Sequence, residues 1–193
     1  MEIKHITREA WLNGAITELK QYVFGNYTVC DEIRSSCGFP SSRALSAKHK
    51  RIGECWDKEA STDSHYEILI SPLLDDPKKV LAVLTHELVH VLAGHKAGHK
   101  GPFRKIAKDV DLEGKMTATV ASDRLNAVFE TSILPLLGTY PHSAISPNSR
   151  PKKKGETRMI KLECHDCGYI VRTTQKWIET GVPTCTCGGS FSA

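Results

Sequence analysis

Two histidines four residues apart with a glutamate beside the first, His86-Glu87-Leu88-Val89-His90, are the residues of this chain best suited to chemistry. On a helix, side chains four apart stack on one face, so both imidazoles can reach a single Zn²⁺. Glu87 then points to the neighbouring sector, where a metal-bound water would stand and where a carboxylate could take its proton. That is the equipment of hydrolysis. The same pentapeptide also occurs on solvated helices, so the surroundings must decide. A hydrolytic zinc wants three protein ligands and one open position. Downstream, His95, His99, Asp111 and Glu113 can be considered. His95 follows His90 too closely to return easily and reads as a loop residue. His99 has room for a turn and a return, and is the favoured third ligand. Glu113 is the alternative.

A second group of ligands lies near the C-terminus. Cys164-His-Asp-Cys167-Gly168 and Cys185-Thr-Cys187-Gly188-Gly189 are separated by seventeen residues. Paired cysteines flanking a stretch of that length describe a zinc ribbon with a four-thiolate structural zinc. The second pair is CxC rather than CxxC, and His165 is a lesser candidate as a substitute ligand. Seven cysteines in all, an odd number, fit a reducing compartment and metal-bound thiolates better than a disulfide framework. The chain is therefore expected to hold two zinc ions, one catalytic and one structural. Cys30, Cys37 and Cys55 lack knuckle spacing and read as buried small residues.

The elements that would position these groups can be outlined. Asp75-Asp76-Pro77 is a helix start, and VLAVLTHELVHVLA up to Gly94 is apolar almost all round, the mark of a helix inside a domain. Histidines and a glutamate in such a helix need partners, which favours a metal site. A second helix is expected from Pro102, with Phe103, Ile106, Ala107 and Val110 at helical spacing. Trp11, Leu12, Ala15, Ile16, Leu19, Tyr22 and Val23 mark a first helix between about Thr7 and Phe24. Extended segments are expected at 33–39, 51–56 and 66–71, with Glu67–Ser71 as the open edge of a small sheet. An amphipathic helix follows over Ser122–Leu137, kinked or ended by Pro135.

Several of these residues together carry a family resemblance. HELVH, then Gly98-His99, Phe103 and Ile106-Ala107, resemble the SprT-like (Spartan-type) zinc metallopeptidases. The segments Cys37–Ser41, Ile52–Trp56, Glu113–Thr119 and Tyr140–His142 resemble the branch encoded by bacteriophages. One departure is Lys100, standing between His99 and Gly101 where the family commonly shows His-Gly. The resemblance implies an α+β chain: a compact, zincin-like metallopeptidase domain of helices and a small sheet over 1–140, then a small β zinc ribbon over 159–193. It implies His86, His90 and His99 as ligands of the catalytic zinc, Glu87 as the base, and protein substrates bound to DNA.

Between the two lies a stretch, 141–158, whose prolines, serines and Lys152-Lys153-Lys154 predict a flexible basic linker. Residues 1–140 carry 18 basic and 18 acidic side chains and residues 141–193 carry 8 and 4, so the net +4 lies wholly in the tail. Arg150, Lys152, Lys153, Lys154, Arg158, Lys161 and Arg172 are thus candidates for contact with nucleic-acid phosphates, probably DNA in the light of the resemblance. With no membrane-length apolar run and no signal peptide, a cytoplasmic monomer is expected, in the host cytoplasm if the chain is phage-encoded. The favoured function is a zinc-dependent endopeptidase. The alternative is a non-catalytic, zinc-stabilised nucleic-acid-binding or transcription-associated factor. A zinc hydrolase of small molecules is a third reading.

Overall fold

Thr7 accepts a hydrogen bond from the Ala10 N–H and so starts α1, Arg8–Tyr22, in the computed structural model, which describes residues 4–147 and 159–192. Trp11, Leu12, Ala15, Ile16 and Leu19 are buried along its inner stripe, as their spacing predicts, whereas Tyr22 is exposed. Three short strands follow: β1 (Ile33–Cys37), β2 (Gly53–Trp56) and β3 (Tyr66–Ile70). Their order is β1-β3-β2, with β1 parallel and β2 antiparallel to β3. The register puts Ile33, Ser35, Ile68, Ile70, Gly53 and Cys55 on one face, packed under α1 and the next helix. On the other face Arg34 bridges Asp63 and Glu67 in the open.

This order corrects one expectation. The Glu67–Ser71 strand is not the open edge; β3 lies in the centre, paired on both sides. Ile68 and Ile70 are fully buried, so this strand has the most apolar surface to cover. The free edge next to α2 belongs to β2.

The second helix, α2 (Pro77–Ala93), begins and ends where its sequence signals predict. Asp76 accepts from the N–H groups of Lys78 (2.8 Å) and Lys79 (3.1 Å), Pro77 occupies the first turn, and Gly94 closes the helix at φ +76°. Val80, Leu81, Leu84, Leu88 and Val89 are fully buried, because α2 is covered by the sheet, by α1 and by elements that follow. Thr85 is buried too, and its hydroxyl donates to the Leu81 carbonyl at 2.8 Å. A 3₁₀ turn, His95–Ala97, and Gly98 at φ +52° reverse the chain into α3 (Gly101–Asp109), where Phe103 and Ala107 are buried. Two glycines in the left-handed half of conformational space make this return, a backbone path that side-chain-bearing residues rarely take.

An unexpected hairpin comes next, β4 (Leu112–Lys115) and β5 (Ala118–Ala121). Its two-residue turn, Met116-Thr117, lacks the Asn-Gly type of signal, and Gly114 interrupts its first strand. The helix predicted over 122–137 is present in three parts: α4 (Asp123–Val128), a widened π-helical turn (Phe129–Ile133) and α5 (Leu134–Leu137). The wide turn ends just before Pro135, which has no N–H for the carbonyl four residues back and whose ring would strike it. Cys55 is buried, and Cys30 and Cys37 are partly buried, all three against the core.

The first compact unit runs to Pro147, somewhat beyond the boundary the sequence suggests. Residues 141–147 belong with it: the Ile145 N–H and the His142 Nε2–H each donate to the Pro72 carbonyl at 2.9 Å, and Arg8 donates to His142 Nδ1 at 3.3 Å. In the second unit, β6 (Ile160–Cys164) pairs antiparallel with β7 (Ile170–Thr173) and with β8 (Phe191–Ser192); α6 (Gln175–Thr180) lies in the chain between β7 and β8. The chain is thus of mixed α+β class. No helix among the described residues is long and apolar enough to cross a membrane.

Candidate metal centres

His86 and His90 project from one face of α2, and the Gly94–Gly98 reversal delivers His99 to the same point. His99 Nε2 stands 3.2 Å from Nε2 of His86 and 3.2 Å from Nε2 of His90. Three nitrogens held by one tetrahedral ion at the zinc distance of about 2.0–2.1 Å would be about 3.3 Å apart. The donor set therefore fits such an ion. Hydrogen bonding among the rings cannot account for it, since one Nε2 proton cannot serve two partners. Burial drives the pKa of His86 down to about 4 and that of His90 to about 3, and lowers that of His99, so the rings are neutral, as ligation requires. Phe103 of α3 packs against all three imidazoles, with centroids 4.9, 4.5 and 4.8 Å from His86, His90 and His99.

Sequence reasoning missed Thr119. Its hydroxyl lies 2.8 Å from His86 Nδ1. A proton on Nδ1 shared with Thr119 leaves the Nε2 lone pair free for a metal and fixes the ring orientation. The residue sits in the hairpin, opposite Gly114, where nothing but the recurring segment marks it. Thr119→Val is expected to weaken metal binding by about 10- to 100-fold, measured by competition with a chromophoric chelator. Unchanged affinity would show that the contact is incidental.

Glu87, on the same helix, is only 6% exposed, and its carboxylate has no hydrogen-bond donor among the described residues. It faces β2. A Cβ placed on Gly53 would lie 2.3 Å from Glu87 Oε1 and 2.5 Å from Val83 Cγ1, so the edge strand can approach only because residue 53 is glycine. Burial raises the Glu87 pKa to about 8, against the opposing charge of Arg51. The alternatives for the third ligand stand apart. His95 is exposed in the 3₁₀ turn with Nδ1 4.0 Å from Asp57 Oδ2, and Glu113 is exposed on β4 rather than on a helix. Neither joins the cluster, and no fourth His, Cys, Asp or Glu does so among the described residues. Tyr140 and His142, which had been weak candidates for a donor at the site, pack instead around Trp11, Arg8 and Pro72.

The second unit brings the four cysteines together. Cys164 and Cys187 sulfurs are 3.5 Å apart, as are those of Cys167 and Cys185, and all four lie within 4.8 Å of one another. A disulfide needs about 2.05 Å, whereas four sulfurs on a tetrahedral ion at about 2.3 Å stand about 3.8 Å apart. The cluster therefore suits a metal, and the shortened CxC pair still contributes both thiols. The backbone N–H of Cys187 helps to hold the Cys185 thiol down at about 7. His165 is outside the cluster. Of the basic candidates, Lys161 and Arg172 are exposed cross-strand neighbours on β6 and β7. Arg150, Lys152, Lys153, Lys154 and Arg158 lie outside the described residues.

No family model, no curated protein and no solved structure matches this chain, so the functional reading rests on these two centres and on the sequence.

Proposed function

We propose that the chain is a zinc-dependent endopeptidase, with a zincin-like first unit and a zinc ribbon that contacts nucleic acid. One observation carries the reading: three imidazole Nε2 atoms converge on a point, and a buried carboxylate one residue along the same helix lies unpaired by any protein donor. Zn²⁺ bound there would polarise a peptide carbonyl and acidify a water. The chain supplies the rest. His86, His90 and His99 hold the ion, and Thr119 orients His86. Glu87 takes the proton of the attacking water at a carboxylate oxygen and returns it to the leaving nitrogen, a task suited to a carboxyl whose pKa burial has raised toward neutrality. Phe103 shields one side of the imidazoles from solvent.

An extended peptide has a place beside these groups. The Ser71 N–H donates to the Ile52 carbonyl, and with the antiparallel register this turns the backbone N–H and C=O of Gly53 and Cys55 away from β3. Those groups can pair with a substrate strand next to Glu87. A non-catalytic metal scaffold would be expected to close the fourth ligand position with a side chain. Its absence among the described residues favours the peptidase.

In the second unit, Tyr169 is 60% and Trp177 58% exposed, with the Lys176 ammonium 5.3 Å from the Trp177 ring and Lys161 and Arg172 on the strands. Exposed aromatic rings among cations suit stacking on bases and pairing with phosphates. Together with the SprT-like resemblance, this points to proteins bound to DNA as substrates.

The decisive assay is cleavage of unfolded casein by the intact protein, with and without single-stranded DNA and 1,10-phenanthroline. Cleavage abolished by the chelator and restored by Zn²⁺ is expected. Casein left intact under every condition, by protein carrying metal at the histidine cluster, would favour the scaffold.

A further inference from the structure

The ladder between β2 and β3 extends to Ile52, and the next residue, Gly53, touches the Glu87 carboxylate. Arg51 stands two residues before that contact, where the edge strand arrives at the histidine cluster. It is not a loose surface cation. Its Nη1 donates to Glu54 Oε1 at 2.5 Å, and Glu54, whose side chain is only 10% exposed, is held in turn by the Ser41 N–H (2.8 Å), the Ser41 hydroxyl (2.7 Å) and Trp56 Nε1 (3.1 Å). The Arg51 side chain itself is 45% exposed, which leaves guanidinium N–H groups for a ligand. Its charge acts on Glu87, His90 and His99; among the described residues no lysine or other arginine does so. His86, on the Thr119 side, does not feel it. Arg51 is thus the cation on the β2 side of the cluster, the side on which an added strand would lie.

We propose that Arg51 is a catalytic residue whose guanidinium donates to the substrate's carbonyl oxygen as negative charge develops there. This rests on the peptidase reading. As the water oxygen bonds to the carbonyl carbon, the π pair moves onto the carbonyl oxygen and Glu87 receives the water's proton. When the C=O re-forms, the C–N bond breaks and that proton passes to nitrogen. Arg51 gives hydrogen bonds and is not consumed. A fixed guanidinium, always charged and aimed where charge appears, is worth far more there than in water.

The test compares Arg51→Met and Arg51→Lys in the intact protein by two measurements. One is casein cleavage by the zinc form. The other is azide binding to the Co²⁺-substituted protein, followed by its visible bands, because an anion near the metal should also use the arginine. For Arg51→Met, kcat is expected to fall about 10²-fold, the scale for losing one such donor, with KM changed less than threefold. Azide affinity should fall about tenfold, with metal content and Tm unchanged. Arg51→Lys should keep kcat and azide affinity closer to the wild type than Arg51→Met does. Azide affinity within twofold of wild type in Arg51→Met would overturn the assignment, whatever happens to kcat. If the wild type cleaves no casein but its azide affinity depends on Arg51, the peptidase reading falls while the arginine stands as the anion-holding group of the site.

Discussion

Glu87→Gln is expected to lower kcat for peptide-bond cleavage at least about 10³-fold while both metals stay bound. The loss follows from chemistry rather than shape. Glutamine fills the same volume under Gly53, whose missing Cβ leaves the 2.3 Å that any larger residue would occupy, but an amide cannot accept the proton of an attacking water. General base assistance of this kind is worth about 10²–10⁴-fold, and here no second carboxylate belongs to the cluster to substitute for it. Folding should not suffer. Glu87 is a buried acid with no donor to satisfy it in the protein, and exchanging it for a neutral group removes a desolvation cost instead of adding one. Metal analysis, thermal denaturation and casein cleavage on the same preparation distinguish the possibilities. Wild-type cleavage would assign the base elsewhere, and lost cleavage accompanied by lost metal would make Glu87 a structural support of the site.

How much of this centre could be read beforehand depended on the range of the interactions involved. The Asp76 cap, Pro77 and Gly94 are local devices, and they delimit α2 where the sequence says they should. The pairing of His86 with His90 follows from helical periodicity alone. His99 was within reach of spacing arguments because the return needs only the short glycine-flanked turn between Gly94 and Gly98. Sheet order is different in kind. Whether Glu67–Ser71 or Gly53–Trp56 forms the edge depends on which strand has more apolar surface to bury on both sides, a competition among segments that no single segment displays. Thr119 and Arg51 were equally hidden, since each reaches the cluster by strand pairing across tens of residues. Gly53 looked like any strand glycine until the carboxylate above it was placed. The cysteine cluster was legible because its four ligands lie in two short knuckles.

That legibility extends to energetics in the second unit, where Cys164→Ser is expected to have its largest effect on folding itself. Among described residues 159–192 the buried hydrophobic side chains are Leu162, Cys164 and Cys185. One buried leucine contributes about 1.5–3 kcal/mol, while a structural zinc site supplies about 10–16 kcal/mol of apparent binding energy near neutral pH. The metal takes the place of a core. A serine hydroxyl is too weak an acid to replace the thiolate, and the three remaining sulfurs would hold the ion poorly. Metal content should fall from two ions per chain to one. Backbone amide signals from 159–192 should collapse toward unfolded positions while those of the first unit, which has its own core around Trp11, Leu84 and Phe129, stay dispersed. Binding to single-stranded DNA should be lost with them, because Lys161 and Arg172 are cross-strand neighbours only while β6 and β7 are paired. His86→Ala should do the reverse, removing the other metal and leaving the ribbon signals in place. Two ions retained by Cys164→Ser, or ribbon signals still dispersed after the loss of one, would mean that the second unit folds on something other than its metal.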